Sequence, residues 1–432
     1  MSSHWMARGR QETMKPRNMP LQTNTTESRI SACPTCGGTD LQAVYRINQV
    51  TVHSVLLMPT REEALRYPRG DIELTFCRSC GFGFNALFRP ELHEYSPRYE
   101  ETQHFSPTFN RFADGLVDAC IERYRLGPDK TVLEIGCGKG EFLVRLCEKS
   151  GCRGIGIDPA YVPGRLKSPA LDRVQFIQEL YRDEHGDLEA DLVICRHTLE
   201  HIQPTLDFVQ RVRRNMRKRQ HVDFFVEVPD ATTTVLQPLG FWDVYYEHCS
   251  YFSGGSLALL FRQAGLGITQ LERCYGDQYL LISGRPGDGQ ETQTWPLERD
   301  LEAQLAHIER FAQMVHRRIA QWRETVRDRC RRGQRVLVWG GGSKGVAFLQ
   351  TTGLTEAEIP FVVDVNPHKQ GRFMPGTGHE VISPARAAEL RPDAVIVMNP
   401  IYTREVAADL ASRGVQADML PLEDATSADP PV

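Results

Sequence analysis

The segment Val132-Leu-Glu134-Ile-Gly136-Cys-Gly138-Lys-Gly140 constrains this chain more than any other. An apolar run leads into three glycines at alternate positions, and a helical pattern follows. This order predicts a strand over Thr131–Ile135, a tight turn, and a helix starting near Phe142. Bare backbone at the glycines lets a ligand lie against the turn. Asp158 ends the next strand candidate, Arg153–Ile157, where a carboxylate can accept hydrogen bonds from ribose hydroxyls. A glycine turn of this kind, taken alone, also suits a dinucleotide. Glu134 separates the two readings. A phosphate loop does not favour a carboxylate beside its ligand, whereas a site for a cationic sulfonium and an amino-acid moiety tolerates one.

The same alternation continues on both sides. Strand candidates recur at Val174–Ile177, 191–195 and 222–228. Two more, at 266–272 and 278–283, are joined by a short glycine-containing turn and predict an antiparallel hairpin at the sheet edge. Strands alternating with helices are the signature of a doubly wound parallel sheet. A helical pattern runs from about Phe109 to Tyr124. A second, longer one places Leu301, Leu305, Ile308, Phe311, Val315, Ile319, Trp322 and Val326 on one face. It predicts a single amphipathic helix separating two α/β units. The second unit has strand candidates at 335–340, 361–364 and 394–398. With 432 residues the chain has room for two or three domains.

Twelve cysteines invite a disulfide reading, which a reducing compartment disfavours. Four of them instead form two matched pairs, Cys33-Pro-Thr-Cys36 and Cys77-Arg-Ser-Cys80, each followed by glycine. Two such turns bring four thiolates around one tetrahedral zinc. The glycines let backbone N–H groups turn towards the sulfurs. With all four positions cysteine, no open coordination site is implied, and the zinc is structural. The stretch between the pairs has strand-like character, as at residues 50–57. So small a module buries little core, so metal is expected to supply folding energy.

The formal charge of -4 argues against a general nucleic-acid or membrane-surface binder, which needs a basic face. The basic run at residues 211–219 reads as a solvated helix end. No stretch reaches the roughly 18 to 20 apolar residues of a membrane span. The first 30 residues lack an apolar signal core. They are expected to be a disordered tail of a cytoplasmic protein.

Two histidine-rich segments follow sheet strands, where ligands bind in such folds. One is Cys195-Arg-His197-Thr-Leu-Glu200-His201-Ile; the other is Tyr245-Tyr246-Glu247-His248-Cys-Ser250-Tyr251-Phe252-Ser253. Clustered His, Glu and Tyr suit proton transfer and oxyanion stabilisation. They also suit a buried hydrogen-bond network or a helix cap, and the residues alone leave both readings open.

The glycine segment resembles the first motif of class I S-adenosylmethionine-dependent methyltransferases, over residues 131–283. That resemblance implies that Glu134, Gly136, Gly138 and Gly140 line the methionine part of the donor and Asp158 its ribose. It implies that Glu179 and Leu180 border the adenine, and that His197 lies near the methyl donor. The whole chain, from about Cys33 to Leu422, is similar to sugar C-methyltransferases acting on nucleotide-linked keto-deoxysugars. The C-terminal run Gly341-Gly-Ser343-Lys344-Gly345, then Val363-Asp364-Val-Asn366-Pro-His-Lys369, then Pro375-Gly-Thr-Gly378, carries much of that likeness.

The resemblance implies an α/β fold: a class I methyltransferase Rossmann-like domain (93–290) behind an N-terminal zinc-binding module (31–92). A linking helix (291–330), a C-terminal Rossmann-like substrate-binding domain (331–426) and a tail (427–432) complete it. In this family a histidine removes the proton beside a ketone and the enolate attacks the donor methyl. Carried over, His248 is the base, Tyr245 and Glu247 orient it or stabilise the enolate, and His201 stabilises the enolate. Tyr95 and Tyr99 reach the substrate. Ser343, Lys344, Gly345, Asn366 and Lys369 face its phosphates. One stretch departs from the pattern: where the sugar enzymes carry a Trp-Asn segment, this chain reads Met398-Asn399-Pro400-Ile-Tyr402. The sugar is thereby left open.

Three other readings compete. O- or N-methylation of another small metabolite needs no enolate. An NAD-dependent oxidoreductase could use Gly340-x-Gly342-x-x-Gly345 with Asp364 as a dinucleotide fingerprint, though Lys344 inside that loop suits direct phosphate contact. A non-catalytic scaffold would have no use for the His/Glu/Tyr cluster. Nothing in the sequence reads out the oligomeric state.

Overall fold

The computed structural model describes residues 29–93, 95–216, 221–287 and 293–423. Most of the N-terminal tail, the tail at 427–432 and the end of the basic run at 211–219 lie outside the described residues.

Three sheets organise the chain. The central one has seven strands. Thr131–Ile135 lies between Arg153–Ile157 and Leu192–Arg196, with Val174–Ile177 beyond one neighbour and Asp223–Pro229 beyond the other, all parallel. The hairpin Leu266–Cys274 and Tyr279–Pro286 then adds antiparallel to Asp223–Pro229 and forms the edge, as the sequence predicts. The parallel strands read as near-continuous apolar runs because both faces are covered. Thr131–Ile135 is buried at every residue. Helices Pro107–Tyr124 and Glu141–Ser150 pack one face through Val117, Leu143 and Leu146, and helix Gly254–Gln263 covers the other with Leu257 and Phe261.

The C-terminal unit is a five-stranded, fully parallel sheet in which Val336–Trp339 lies between Val362–Val363 and Ala394–Val397. Its first strand enters helix Ser343–Thr352 through the glycine turn 340–342. The two α/β units therefore repeat one device, strand to glycine turn to helix. Each also has a carboxylate at the end of the next strand that accepts one amide from the turn and one from two residues beyond itself. Asp158 accepts from Gly138 N at 2.8 Å and Ala160 N at 2.6 Å. Asp364 accepts from Gly341 N and Asn366 N, both at 2.8 Å.

The long helix is Leu301–Arg331. It separates the two α/β units along the chain, as expected, and in space it packs between the N-terminal sheet and the C-terminal unit. Phe311 meets Tyr45 of the N-terminal sheet edge-on at 6.1 Å, and Trp322 meets Phe348 of the C-terminal unit at 5.6 Å. Its buried Ile308, Phe311, Val315, Ile319, Trp322 and Val326 are worth on the order of 10 kcal/mol as an upper bound, at roughly 2 kcal/mol each.

The N-terminal module also departs from expectation. Its sheet pairs Leu41–Thr51 with Arg69–Cys77 and Gly83–Asn85, and the fourth strand is Ser250–Tyr251, from far along the chain. Ile72, Leu74 and Phe76 share one core with Trp242, Tyr246 and the long helix. The module thus does not depend on its own small core. Residues 50–57 are not one strand: pairing ends at Thr51, and Val52 to Leu57 run as irregular buried chain whose polar side chains face inward. Among the described residues no helix is long and apolar enough to cross a membrane.

Candidate active site

The glycine turn after Thr131–Ile135 and the one after Val336–Trp339 open into a single cavity of about 610 Å³. It is walled by both α/β units and by the segment between residues 95 and 109. Gly136 and Gly138 hold φ of 73° and 56°, in the left-handed region that side chains disfavour. Space forbids a side chain as well: a Cβ on Gly136 would fall 2.0 Å from Thr198 Oγ1.

Glu134 lines the cavity from the strand end, and its Oε2 is buried without a partner among the described residues. Burial pushes its pKa up to about 7, with Arg196 opposing. Asp158 is half-buried, and desolvation raises it against the two amides it accepts. Each carboxylate oxygen has lone pairs to spare after these bonds. Glu179 and Leu180 lie at the rim: Leu180 is 54% exposed, an unusual state for a leucine, and Glu179 Oε1 sits 3.0 Å from His185 Nε2.

Strand end 196–197 carries a buried ion network. Arg196 Nε lies 2.5 Å from Glu227 Oε2, and His197 Nε2 lies 3.3 Å from Glu227 Oε1. Burial opposes both charges, yet Arg196 and His197 hold Glu227 down to about 2. Against the same desolvation, Glu227 and Glu200 raise His197 to about 9. His197, with φ of 47°, is therefore a fixed cation in the cavity wall. Glu200 belongs to a segment the sequence singles out, but Arg196 and Glu227 do not stand out there; only the fold brings their strands side by side.

Deeper in, Tyr245 Oη lies 2.8 Å from His248 Nε2, and the ring of His201 meets that of His248 edge-on at 4.9 Å. All three line the cavity. Burial, reinforced by the neighbouring His201, His197 and Lys344, holds His248 far below its usual pKa, so its imidazole is neutral. Burial likewise keeps the Tyr245 phenol protonated. His201 Nδ1 and the Tyr95 hydroxyl are buried without partners among the described residues, and Tyr95 and Tyr99 complete this wall.

Glu247 is a correction. It does not line the cavity but turns behind it, where it is 1% exposed. Its Oε1 lies 3.0 Å from His53 Nδ1, and its Oε2 accepts from Ser54 N at 2.9 Å and from Ser54 Oγ. Burial would raise its pKa, but the His53 bond and nearby histidines hold it at about 2. Both oxygens are committed, so Glu247 fixes the loop that carries Tyr245 and His248 and has no oxygen to offer a substrate. His53 and Ser54 went unnoticed in the sequence because their partner lies 194 and 193 residues away.

In the C-terminal wall, Ser343 begins a helix whose N-cap, Gly342, supplies no side-chain hydrogen bond. Lys344 and Gly345 follow and line the cavity. Lys344 is not an unpaired cation: its Nζ lies 2.7 Å from Asp243 Oδ2. Lys369 Nζ lies 3.5 Å from Asp364, and Asn366 Nδ2 donates to Glu100 Oε1 at 2.9 Å. These contacts hold all of them at the cavity wall. In the divergent stretch, Asn399 exchanges hydrogen bonds with Gln278, and Tyr402 Oη bonds Tyr275 Oη at 2.7 Å, closing the two units against each other.

Away from the cavity, Cys33, Cys36, Cys77 and Cys80 place their sulfurs within 4.8 Å of one another. Sγ separations of 3.7 Å (Cys33–Cys80) and 3.5 Å (Cys36–Cys77) are far too long for disulfides. They match the roughly 3.8 Å edge of a tetrahedron with metal–sulfur bonds of about 2.3 Å. The glycine amides that follow each pair bond the carbonyls of Cys33 and Cys77; the amide aimed at a sulfur is that of Gly38, at 3.4 Å from Cys36.

Comparison with known proteins agrees with this division. Residues 109–271 match the family described as a methyltransferase domain, and residues 292–417 the family described as a C-methyltransferase C-terminal domain. The C-methyltransferase NovU of Streptomyces niveus is 31% identical over 393 residues, covering 87% of this chain and 91% of NovU. Among solved structures, the 1,6-didemethyltoxoflavin-N1-methyltransferase of Burkholderia thailandensis aligns at 17% identity and a TM-score of 0.31, over 42% of this chain and 82% of its own. The N,N-8-amino-8-demethyl-D-riboflavin dimethyltransferase of Streptomyces davawensis aligns at 18% and 0.34, over 41% and 54%. Scores this low add nothing to the argument; the full-length relative and the two matched regions decide it. The chain belongs to the S-adenosylmethionine-dependent C-methyltransferases in which a methyltransferase domain is followed by a C-methyltransferase C-terminal domain.

Proposed function

We propose that this enzyme methylates a carbon adjacent to a ketone, through an enolate, on a nucleotide-linked deoxysugar. One observation carries the reading: a neutral His248 paired with Tyr245 faces the same cavity as the glycine turn on one side and the start of helix Ser343–Thr352 on the other. The donor belongs at the glycine turn, with Asp158 at its ribose and Glu134 towards its methionine end. The donor supplies an electrophilic methyl group.

The chain supplies the nucleophile's activation. His248 Nε2 takes the proton from the carbon beside the ketone. As it does so, the Tyr245 hydroxyl is released to donate to the enolate oxygen, and His201 Nδ1 supplies a second donor. Preorganised donors of this kind, in a site shielded from water, are worth several kcal/mol to a developing oxyanion. The acceptor's phosphates belong at the uncapped N-terminus of helix Ser343–Thr352, where free amides and the helix dipole favour an anion. Lys344 and Lys369 flank that end.

The four thiolates fit one structural zinc, which would fasten the two Cys turns beside Thr205 of the methyltransferase domain, bonded to Thr35 at 3.3 Å. The test of the reaction is incubation with methyl-labelled S-adenosylmethionine and a panel of nucleotide keto-sugars. NMR should place the label on a ring carbon next to the ketone. A label on oxygen or nitrogen would remove the need for an enolate.

A further inference from the structure

The segment between residues 95 and 106 lies outside both matched family regions, yet it covers the glycine turn. Lys139, buried within the turn, donates from Nζ to Ala160 O at 2.7 Å and to Pro97 O at 3.4 Å, which fastens the segment in place. Glu101 then sits directly on the turn: a Cβ on Gly138 would come within 2.5 Å of its Oε1. Its Oε2 is buried without a hydrogen-bond partner among the described residues, the same state as Glu134 Oε2. Both residues line the cavity. Burial pushes Glu101 up to about 8, with Asp158 and Glu141 adding to the effect and Lys139 opposing it.

A buried carboxyl oxygen without a donor is costly unless a ligand supplies one. Two of them, beside Asp158 and Glu141, call for a ligand group that is positive and rich in N–H. The donor has one such group. Its adenine and ribose are neutral, its carboxylate would be repelled, and its sulfonium has no hydrogen to donate. The α-ammonium has three.

We propose that Glu101 binds the α-ammonium group of the methyl donor jointly with Glu134, so that a residue outside the methyltransferase domain match completes the donor site. This rests on the placement of the donor at the glycine turn.

The test compares three ligands by calorimetry on the full-length protein: S-adenosylmethionine, S-adenosylhomocysteine, and 5′-methylthioadenosine, which keeps adenine, ribose and sulfur but has no amino acid. Glu101→Gln should weaken the first two by at least about tenfold, the value of a charge-assisted hydrogen bond, and leave the third unchanged. Unchanged methylthioadenosine binding also shows that the variant is folded. Asp158→Ala, at the ribose, should weaken all three. If Glu101→Gln leaves S-adenosylhomocysteine binding intact, or weakens methylthioadenosine as much as the others, the ammonium assignment is overturned while Asp158→Ala still locates the donor. If Asp158→Ala weakens none of them, the donor is elsewhere and both readings fall.

Discussion

Glu247 offers the sharpest test of how the catalytic loop is held. It is fully buried, its Oε1 lies 3.0 Å from His53 Nδ1, and its other oxygen binds Ser54. Glu247→Ala removes all of this and leaves the buried Ser54 amide without its acceptor. Breaking a buried pair in this way costs about 3 to 5 kcal/mol. Glu247→Gln keeps an oxygen for Ser54 and loses only the charge-assisted bond to His53, about 1.5 to 3 kcal/mol. At roughly 2 °C per kcal/mol for a chain of this size, the alanine variant should melt about 6 to 10 °C lower and the glutamine variant about half that. The pH dependence has a definite sign. The folded-state pKa, about 2, is below the ordinary carboxylate value, so the stabilisation is present above pH ~4.3 and is lost as pH falls towards 2. Glu247→Gln should abolish that part of the acid dependence. Because Glu247 positions His248 without touching substrate, the glutamine variant should lower kcat with little change in KM. Differential scanning calorimetry between pH 2.5 and 7, with steady-state kinetics, reads both. An alanine variant that melts within 1 °C of the wild type, or a glutamine variant that raises KM and spares kcat, would refute the reasoning.

Two further outcomes are expected. Elemental analysis of freshly reduced protein should find one zinc per chain, and Cys77→Ser should lower zinc content and solubility more than donor affinity; protein without zinc would remove the structural-metal assignment. Lys344→Gln, which retains a hydrogen bond to Asp243, should raise the acceptor's KM about tenfold and leave donor binding unchanged, and a shift in donor affinity measured by calorimetry would contradict the division of the cavity.

The sequence discloses most of the central sheet because its strands are short, largely apolar segments that alternate with helical patterns, as at Thr131–Ile135 and Arg153–Ile157. The four-cysteine cluster is legible because its spacing is local within each pair. What escapes is non-local. Residues 52–57 carry the apolar character of a strand, but their amides have no ladder to join, and His53 and Ser54 point instead at Glu247. The strand Ser250–Tyr251 completes a sheet that begins at Leu41, and nothing at either end announces the other. Lys344 reads as an unpaired cation, and its ion pair with Asp243, 101 residues away, is visible only in the fold. Glu101 has no motif at all; only the folding of its segment over Gly138 brings it to the cavity.

The most direct measurement of the enolate mechanism is exchange of the acceptor's α-hydrogen in deuterated water, followed by NMR, with S-adenosylhomocysteine present to fill the donor site without allowing transfer. The wild type should exchange that hydrogen, and His248→Ala should lose about 10² to 10⁴ of the rate, the usual contribution of a positioned general base. Exchange at the wild-type rate in His248→Ala would contradict the assignment and move the base to His201.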